Sequence, residues 1–254
     1  MIRSKQRKSF ADFFCFILEI LPRLLRPFGK DRISWTVLTR QILYTGFEAL
    51  PLIGFIALAM GGLIILQGNI LLSTFGQGIW LYHILVTLVI SELSGLITAL
   101  VVIARSGTAI STELGNMKVN QEIALLESFG ISPTTYLVVS RIWGVVISTV
   151  VLSFYFNVIA VLGGWLFATI FYPLGFRSFI SNLVGVLGYQ HVAMAFLKSL
   201  VFGFLISVIA CYQGLSVKSA STEVPQRTIK AVVSGIAWVI VADIIITWLF
   251  WMLA

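Results

Sequence analysis

The sequence predicts an all-α integral membrane protein, with about five transmembrane helices, an N-terminal interfacial helix and a short amphipathic helix between two of the spans. Three observations predict it. Of 254 residues, 59% are hydrophobic and only 11% are charged, outside the range of soluble globular domains. Five apolar runs approach or exceed the roughly 20 residues that a helix needs to cross about 30 Å of hydrocarbon. The alternating ten-residue segments of a membrane β-barrel are missing from the pattern.

The spans are expected near Ile42–Leu66, Ile79–Ala104, Ile142–Phe171, Val192–Tyr212 and Ala231–Leu253. The first contains Pro51, Gly54, Gly61 and Gly62. Proline removes a backbone donor and favours a kink, while glycines let helices approach closely. Two readings follow: ordinary helix packing, or a broken helix that lines a cavity.

Basic residues set the orientation. Nine precede the first span, three lie between the second and third and three between the fourth and fifth, leaving only Arg177 and Lys198 of the 17. The positive-inside rule then places the N-terminus in the cytoplasm and, after five crossings, the C-terminus outside. The net charge of +7 reads as topology and contact with anionic lipid, with no nucleic acid implied. Cys15 and Cys211 are too few for a disulfide framework or a metal site.

At the N-terminus, "MIRSKQRK" followed by "FADFFCFILEIL" imitates a secretion signal, but Asp12 and Glu19 interrupt the apolar run and no small-residue cleavage site follows. Phe10–Phe28 is expected to lie in the cytoplasmic interface as a helix, with Arg23, Arg26 and Lys30 facing headgroups. Residues 1–40 form this basic region, and 41–254 form one transmembrane domain.

Between spans two and three lies "NMKVNQEIALLESFGISP", too polar for a lipid core. Val119, Ile123 and Leu126 follow the i, i+4, i+7 spacing of one helical face, joined by Ala124 and Phe129. Gly130 is placed to end the helix in the left-handed conformation, and Pro133 prevents its resumption. The helix, about residues 117–130, carries Glu122 and Glu127 against a single Lys118. Acidic residues suit anionic headgroups poorly, so insertion into a groove on a soluble partner is favoured over floating in the interface.

Charges inside the spans are the other anomaly. Glu92 falls in the middle of "LVISELSGLITAL", where a charged side chain costs roughly 2.5–3.5 kcal/mol on insertion scales and must face protein or water. It is either a hydrogen-bonded packing residue or part of a substrate or gating path. Asp243, in "VIVADIIITW", has the same alternatives. Lys198 lies near the external end of span four and is expected to snorkel outward. The chain has no Walker A loop and so cannot cradle ATP phosphates itself. It has no clustered aspartates for a metal, and neither histidine accompanies a G-x-S-x-G elbow.

With these pieces in place, the sequence resembles the MlaE (YrbE) family of ABC-transporter permeases. The resemblance runs from about Arg40 to Thr247 and is most specific in "ARSGTAISTELGNMKVNQEIALLESFGISPTTYLVVSRIW". That segment is similar to the family pattern A-G-R-x-G-S-A-I-x-A-E-L-G-T-M-K-V, followed by E-Q-I-x-A-L and G-x-x-P. "RQILYTGFEALPL", "LQGNILLSTFG" and "KSLVFGFLISVIACYQG" with "RTIKAVV" match further. The resemblance implies that the amphipathic helix is a coupling helix, with Val119, Glu122, Ile123, Leu126 and Glu127 at a cytoplasmic ATPase. It also implies a second copy of the chain, an Mce-domain protein outside the membrane and a lipid cargo. ATP and magnesium would bind the partner ATPase, leaving this chain without a cofactor or catalytic residue. Glu92 aligns with the glutamate of the family's R-E-L-G-P motif, but here Ser91 replaces the arginine and Ser94-Gly95 replaces Gly-Pro. The substrate path expected on that basis is Ile64, Leu71, Leu72, Phe75, Ser91 and Glu92, with Lys198 and Asp243 as further intramembrane polar residues. Two rivals from other classes are an ion-driven carrier using Glu92 and Asp243, and a non-transporting membrane assembly protein.

Overall fold

The structure, a computed structural model, describes residues 13, 15–22, 24, 35–73, 82–171, 175–218 and 220–253. Within them the chain is helical: α1 (Trp35–Thr45), α2 (Leu50–Ser73), α3 (Tyr82–Val119), α4 (Glu122–Ser128), α5 (Ser140–Phe171), α6 (Phe176–Val186), α7 (Tyr189–Leu215) and α8 (Glu223–Leu253). Five helical stretches are long and apolar enough to cross a membrane: α1 with α2, α3, α5 with its lead-in turns, α7 and α8. The 32 residues of α5 rise about 48 Å at 1.5 Å per residue, enough to cross with its ends in the interfaces.

Along their lengths α2 packs on α5, α5 on α7, and α7 on both α3 and α8. The core where they meet is built from fully buried Leu85, Val89, Ala99, Leu152, Phe156 and Phe202. Between α2 and α5 the backbones nearly touch. A methyl group at Gly163 would come 2.6 Å from the Leu58 carbonyl oxygen, and one at Gly61 would run into that of Ala160. Small residues make this crossing possible, because dispersion between closely apposed backbones holds helices together where no hydrophobic effect operates.

Pro51 does not interrupt α2. It stands in the first turn of α2, just after the 3₁₀ turn Phe47–Ala49, where a missing N–H leaves no intrahelical bond unmade. The glycines of this span therefore serve packing, and α2 is unbroken to Ser73.

The amphipathic helix is shorter than the sequence suggests. α3 runs through to Val119, the chain breaks at Gln121 with φ 59°, and α4 begins at Glu122. Gly130 takes the expected left-handed conformation, φ 74°. π-helical turns over Thr134–Val139 then lead into α5.

Of the expected N-terminal helix, residues 15–22 are helical. Phe10, Arg23, Arg26, Phe28 and Lys30 lie outside the described residues. Phe13, Phe16, Ile17, Ile20 and Leu24 form one helical stripe directed at the bundle. The Phe13 and Phe16 rings lie 5.2 and 5.5 Å from that of Tyr212, near the end of α7. This helix is thus seated on the bundle by an aromatic contact that a single-helix hydropathy reading does not reveal.

Candidate functional site

The site begins with an irregularity in α3. Leu85–Leu93 is wound as a π-helix, which adds residues per turn and turns the following side chains away from the positions a 3.6-residue period assigns them. Ser91 and Glu92 occupy the end of this segment. Ser94 closes it, its hydroxyl donating to the Ile90 carbonyl at 2.7 Å.

Glu92 meets Lys198 of α7 in a direct ion pair. On the other side of the ammonium, Asp243 Oδ1 of α8 lies 2.7 Å away, a charge contact whose angle falls outside hydrogen-bond geometry. Thr247, one turn beyond Asp243, donates to the Glu92 carboxylate at 3.3 and 3.4 Å. Three charges scattered over 150 residues of sequence therefore form one cluster joining α3, α7 and α8. Lys198 is fully buried, while the side chains of Asp243 and Glu92 are 13% and 28% exposed. The cluster opens outward on its Glu92 side.

One expectation changes here. Lys198 does not snorkel: two carboxylates compensate its buried charge, which removes the reason to reach for water. Ser91 is buried, and its hydroxyl sits 2.9 Å from His191 Nδ1 at the start of α7.

Of the remaining expected path residues, Ile64 is the one described in full. Ile64 is half-buried in α2 against the core. Leu71 and Leu72 lie in the last turns of α2, and their side chains, like all of Phe75, fall outside the described residues. A groove of about 590 Å³ opens between α5, α6 and α7, with Ile90 of the π-helix at its inner wall. Sequence reasoning missed this groove, and it missed Thr247, although Thr247 stands four residues after Asp243 and so on the same face of α8.

Polar ties brace the end of the bundle that carries α4. Arg141, buried at the start of α5, pairs with Glu113 of α3 at 2.9 Å. Thr112 and Thr228 join α3 to α8 at 3.0 Å. Lys118 donates to the Leu215 carbonyl at the end of α7, and Arg105 pairs with Glu48. On this braced mount α4 turns Ile123 and Leu126 inward against the core. Leu125 and Phe129 point to solvent, 57% and 71% exposed, with Ile131 beyond them. Of the apolar face that periodicity selected, Ile123 and Leu126 therefore seat the helix, while Ala124 and Phe129, expected on the same face, are exposed; the free apolar patch is Leu125, Phe129 and Ile131. Glu122 and Glu127 remain exposed beside it, and Val119 is half-buried at the end of α3. Among the described residues no group of three His, Cys, Asp or Glu side chains is placed to hold a metal.

Five membrane-length helices, a charge cluster at mid-span and a short helix mounted between two spans define a multi-pass α-helical membrane protein of the permease type. The chain belongs to the MlaE permease family, whose model, described as Permease MlaE, matches residues 38–249. It is 28% identical over 97% of its length to a probable ABC transporter permease protein of Rickettsia conorii, covering 93% of that protein. It is also 28% identical to the intermembrane phospholipid transport system permease protein MlaE of Haemophilus influenzae, with 86% of this chain and 85% of the relative aligned. A more distant relative, the chloroplastic protein trigalactosyldiacylglycerol 1 of Arabidopsis thaliana, is 25% identical, with 87% of this chain and 63% of the relative aligned.

Proposed function

We propose that this chain is the permease subunit of an ATP-driven transporter that moves phospholipid or a related lipid between the inner membrane and an Mce-domain partner. The observation that carries this reading is the exposed apolar face of α4. Leu125, Phe129 and Ile131 crown a helix braced between two membrane spans, and such a knob fits a groove on a cytoplasmic ATPase. The names of the Rickettsia and Haemophilus relatives support the ABC class and the phospholipid cargo. ATP and magnesium belong to the ATPase; this chain contributes the path and the lever. The charge asymmetry supports a cytoplasmic α4 and N-terminus and an external C-terminus.

A second copy of the chain fits over α8. Only 22% of the apolar stretch of α8 is buried, against 61% for α3, and α8 carries Asp243 and Thr247 of the cluster whose Glu92 side is open. In such a pair the two Glu92 clusters face a shared cavity, and differential contacts of α4 with the ATPase in its two nucleotide states bias that cavity open or closed.

The test is mass spectrometry of the proteins and lipids that co-purify with the tagged chain in mild detergent. An ATPase subunit together with enriched phospholipid supports the reading. Leu125→Asp and Phe129→Asp should each release the ATPase while the permease stays folded, whereas Leu126→Asp should unseat α4 from the bundle and lower thermal stability. Retention of the ATPase by both exposed-face variants overturns the docking face.

The charge cluster favours one second reading, an ion-coupled carrier, because two acids and a base at mid-span are the usual parts of a proton or cation relay. Transport that depends on a proton gradient and persists without ATP would select it.

A further inference from the structure

The groove between α5, α6 and α7 lies apart from the opening beside Glu92. We propose that it binds one phospholipid of the leaflet at the α6 end, with a single acyl chain in the groove and the phosphate on Arg177. The site requires only that the chain lie in a bilayer, so it stands whether or not the protein transports lipid.

The groove holds about 590 Å³, inside the range of small-ligand sites. The groove follows α5 from Val150 to Leu162, roughly 18 Å of rise, which is close to the depth of one leaflet of a hydrocarbon core of about 30 Å. Its mouth is edged by Phe154, Leu162 and Phe196, all exposed, so it opens sideways into lipid. Its inner end reaches Ile90 and Ser199, which flank Glu92 and Lys198, so a chain bound here ends behind the charge cluster.

The headgroup position rests on charge. Apart from buried Lys198, Arg177 is the one lysine or arginine at this end of the bundle among the described residues. α6 covers the groove through Ile180, Leu183 and Leu187. Arg177 stands one turn before Ile180 on the same stripe, exposed. Next to it, Phe176 is fixed on Trp165 of α5, ring centroids 5.0 Å apart and edge to face, which holds this end of α6 beside the mouth at Leu162. A cation at the interface above an apolar slot is the pattern that a phosphate and its acyl chain satisfy together.

The experiment uses the full chain in phosphatidylcholine nanodiscs doped with phosphatidylglycerol that carries a diazirine on one acyl chain. After illumination, adducts are mapped by peptide mass spectrometry. Adducts are expected to concentrate in 150–162 and 192–199, and to fall by about tenfold in Leu162→Trp, which blocks the exposed mouth without entering the core. Ala195→Trp, inside the groove, is the second blocking variant, and monodispersity and thermal unfolding check that both remain folded. Arg177→Gln should lower labelling by this probe about fivefold, the ratio that one basic residue contributes near an anionic surface, and leave labelling by a diazirine diacylglycerol unchanged. Adducts spread evenly over the exposed faces of α2, α5 and α8 would overturn the site as annular lipid only. A disulfide between copies of Val158→Cys would overturn it in favour of a second chain, and labelling abolished by a co-expressed single-span partner would do so in favour of a helix.

Discussion

Two groups of charges hold this bundle together, and their settings differ. At mid-span, Lys198 is buried between Glu92 and Asp243, with the Glu92 and Asp243 side chains only 28% and 13% exposed. At the α4 end, Arg141–Glu113 and Arg105–Glu48 use the same chemistry with one or both partners in contact with water: Glu113 is 58% exposed, and Arg105 and Glu48 are 34% and 48% exposed. The difference teaches that an ion pair is worth what its surroundings make of a lost partner. In lipid or protein the survivor is stranded; at the surface, water replaces the missing charge within a few ångströms.

The largest effect should come from Lys198→Ala. It leaves two carboxylates facing each other in a site where only Thr247 remains to donate, and breaking such a buried arrangement costs about 3–5 kcal/mol. Thermal unfolding in detergent should show the greatest loss of any variant discussed here. The triple change Lys198→Leu, Glu92→Gln, Asp243→Asn should recover much of it, because no ion is then left unpaired. A triple variant as unstable as the single one would mean that packing around the Lys198 stem, and not its charge, holds α3, α7 and α8 together.

An intermediate effect is expected for Arg141→Ala. The guanidinium is buried and also donates to the Leu137 carbonyl at 3.2 Å, so its loss should cost about 1–3 kcal/mol. The cost stays below that of Lys198→Ala because Glu113 is left in water. Glu113→Gln should cost more than its exposure alone suggests, since Arg141 is then the stranded partner. Comparing the two single variants with the double variant in the same unfolding assay measures that asymmetry directly.

The helices were legible because membrane crossing imposes length and apolarity, and both can be read along the chain. Glu92, Lys198 and Asp243 were visible as charges in apolar runs. That they meet was not, because the π-helical winding of Leu85–Leu93 changes the direction of Glu92 in a way no 3.6-residue period records. Lys198 shows the same limit: whether a lysine near the end of a span reaches outward or inward depends on acids carried by two other helices. In α4 the sequence offers two apolar edges, Ile123 with Leu126 and Leu125 with Phe129. Periodicity groups Phe129 with the first, and only the bundle separates it and decides which edge is covered. The groove is assembled from α5, α6, α7 and one residue of α3, and no single stretch of sequence contains it.

The smallest effect should belong to Glu48→Gln. Glu48 lies in the 3₁₀ turn before α2, and Arg105 lies in the second π-helical stretch of α3, Ile103–Gly107. With both side chains partly in water, the pair should contribute about 0–1 kcal/mol. Any difference from the unaltered protein should disappear near 1 M salt, where the screening length falls to about 3 Å. The measurement is thermal unfolding of the purified permease at low and high salt, and again with the proposed ATPase partner bound. A small, salt-sensitive loss in the isolated chain that grows and becomes salt-insensitive in the complex would mean that the ATPase seals this end of the bundle from water. The surface pair would then take on the character of the mid-span cluster, and the contrast between the two regions would hold only while the subunit is alone.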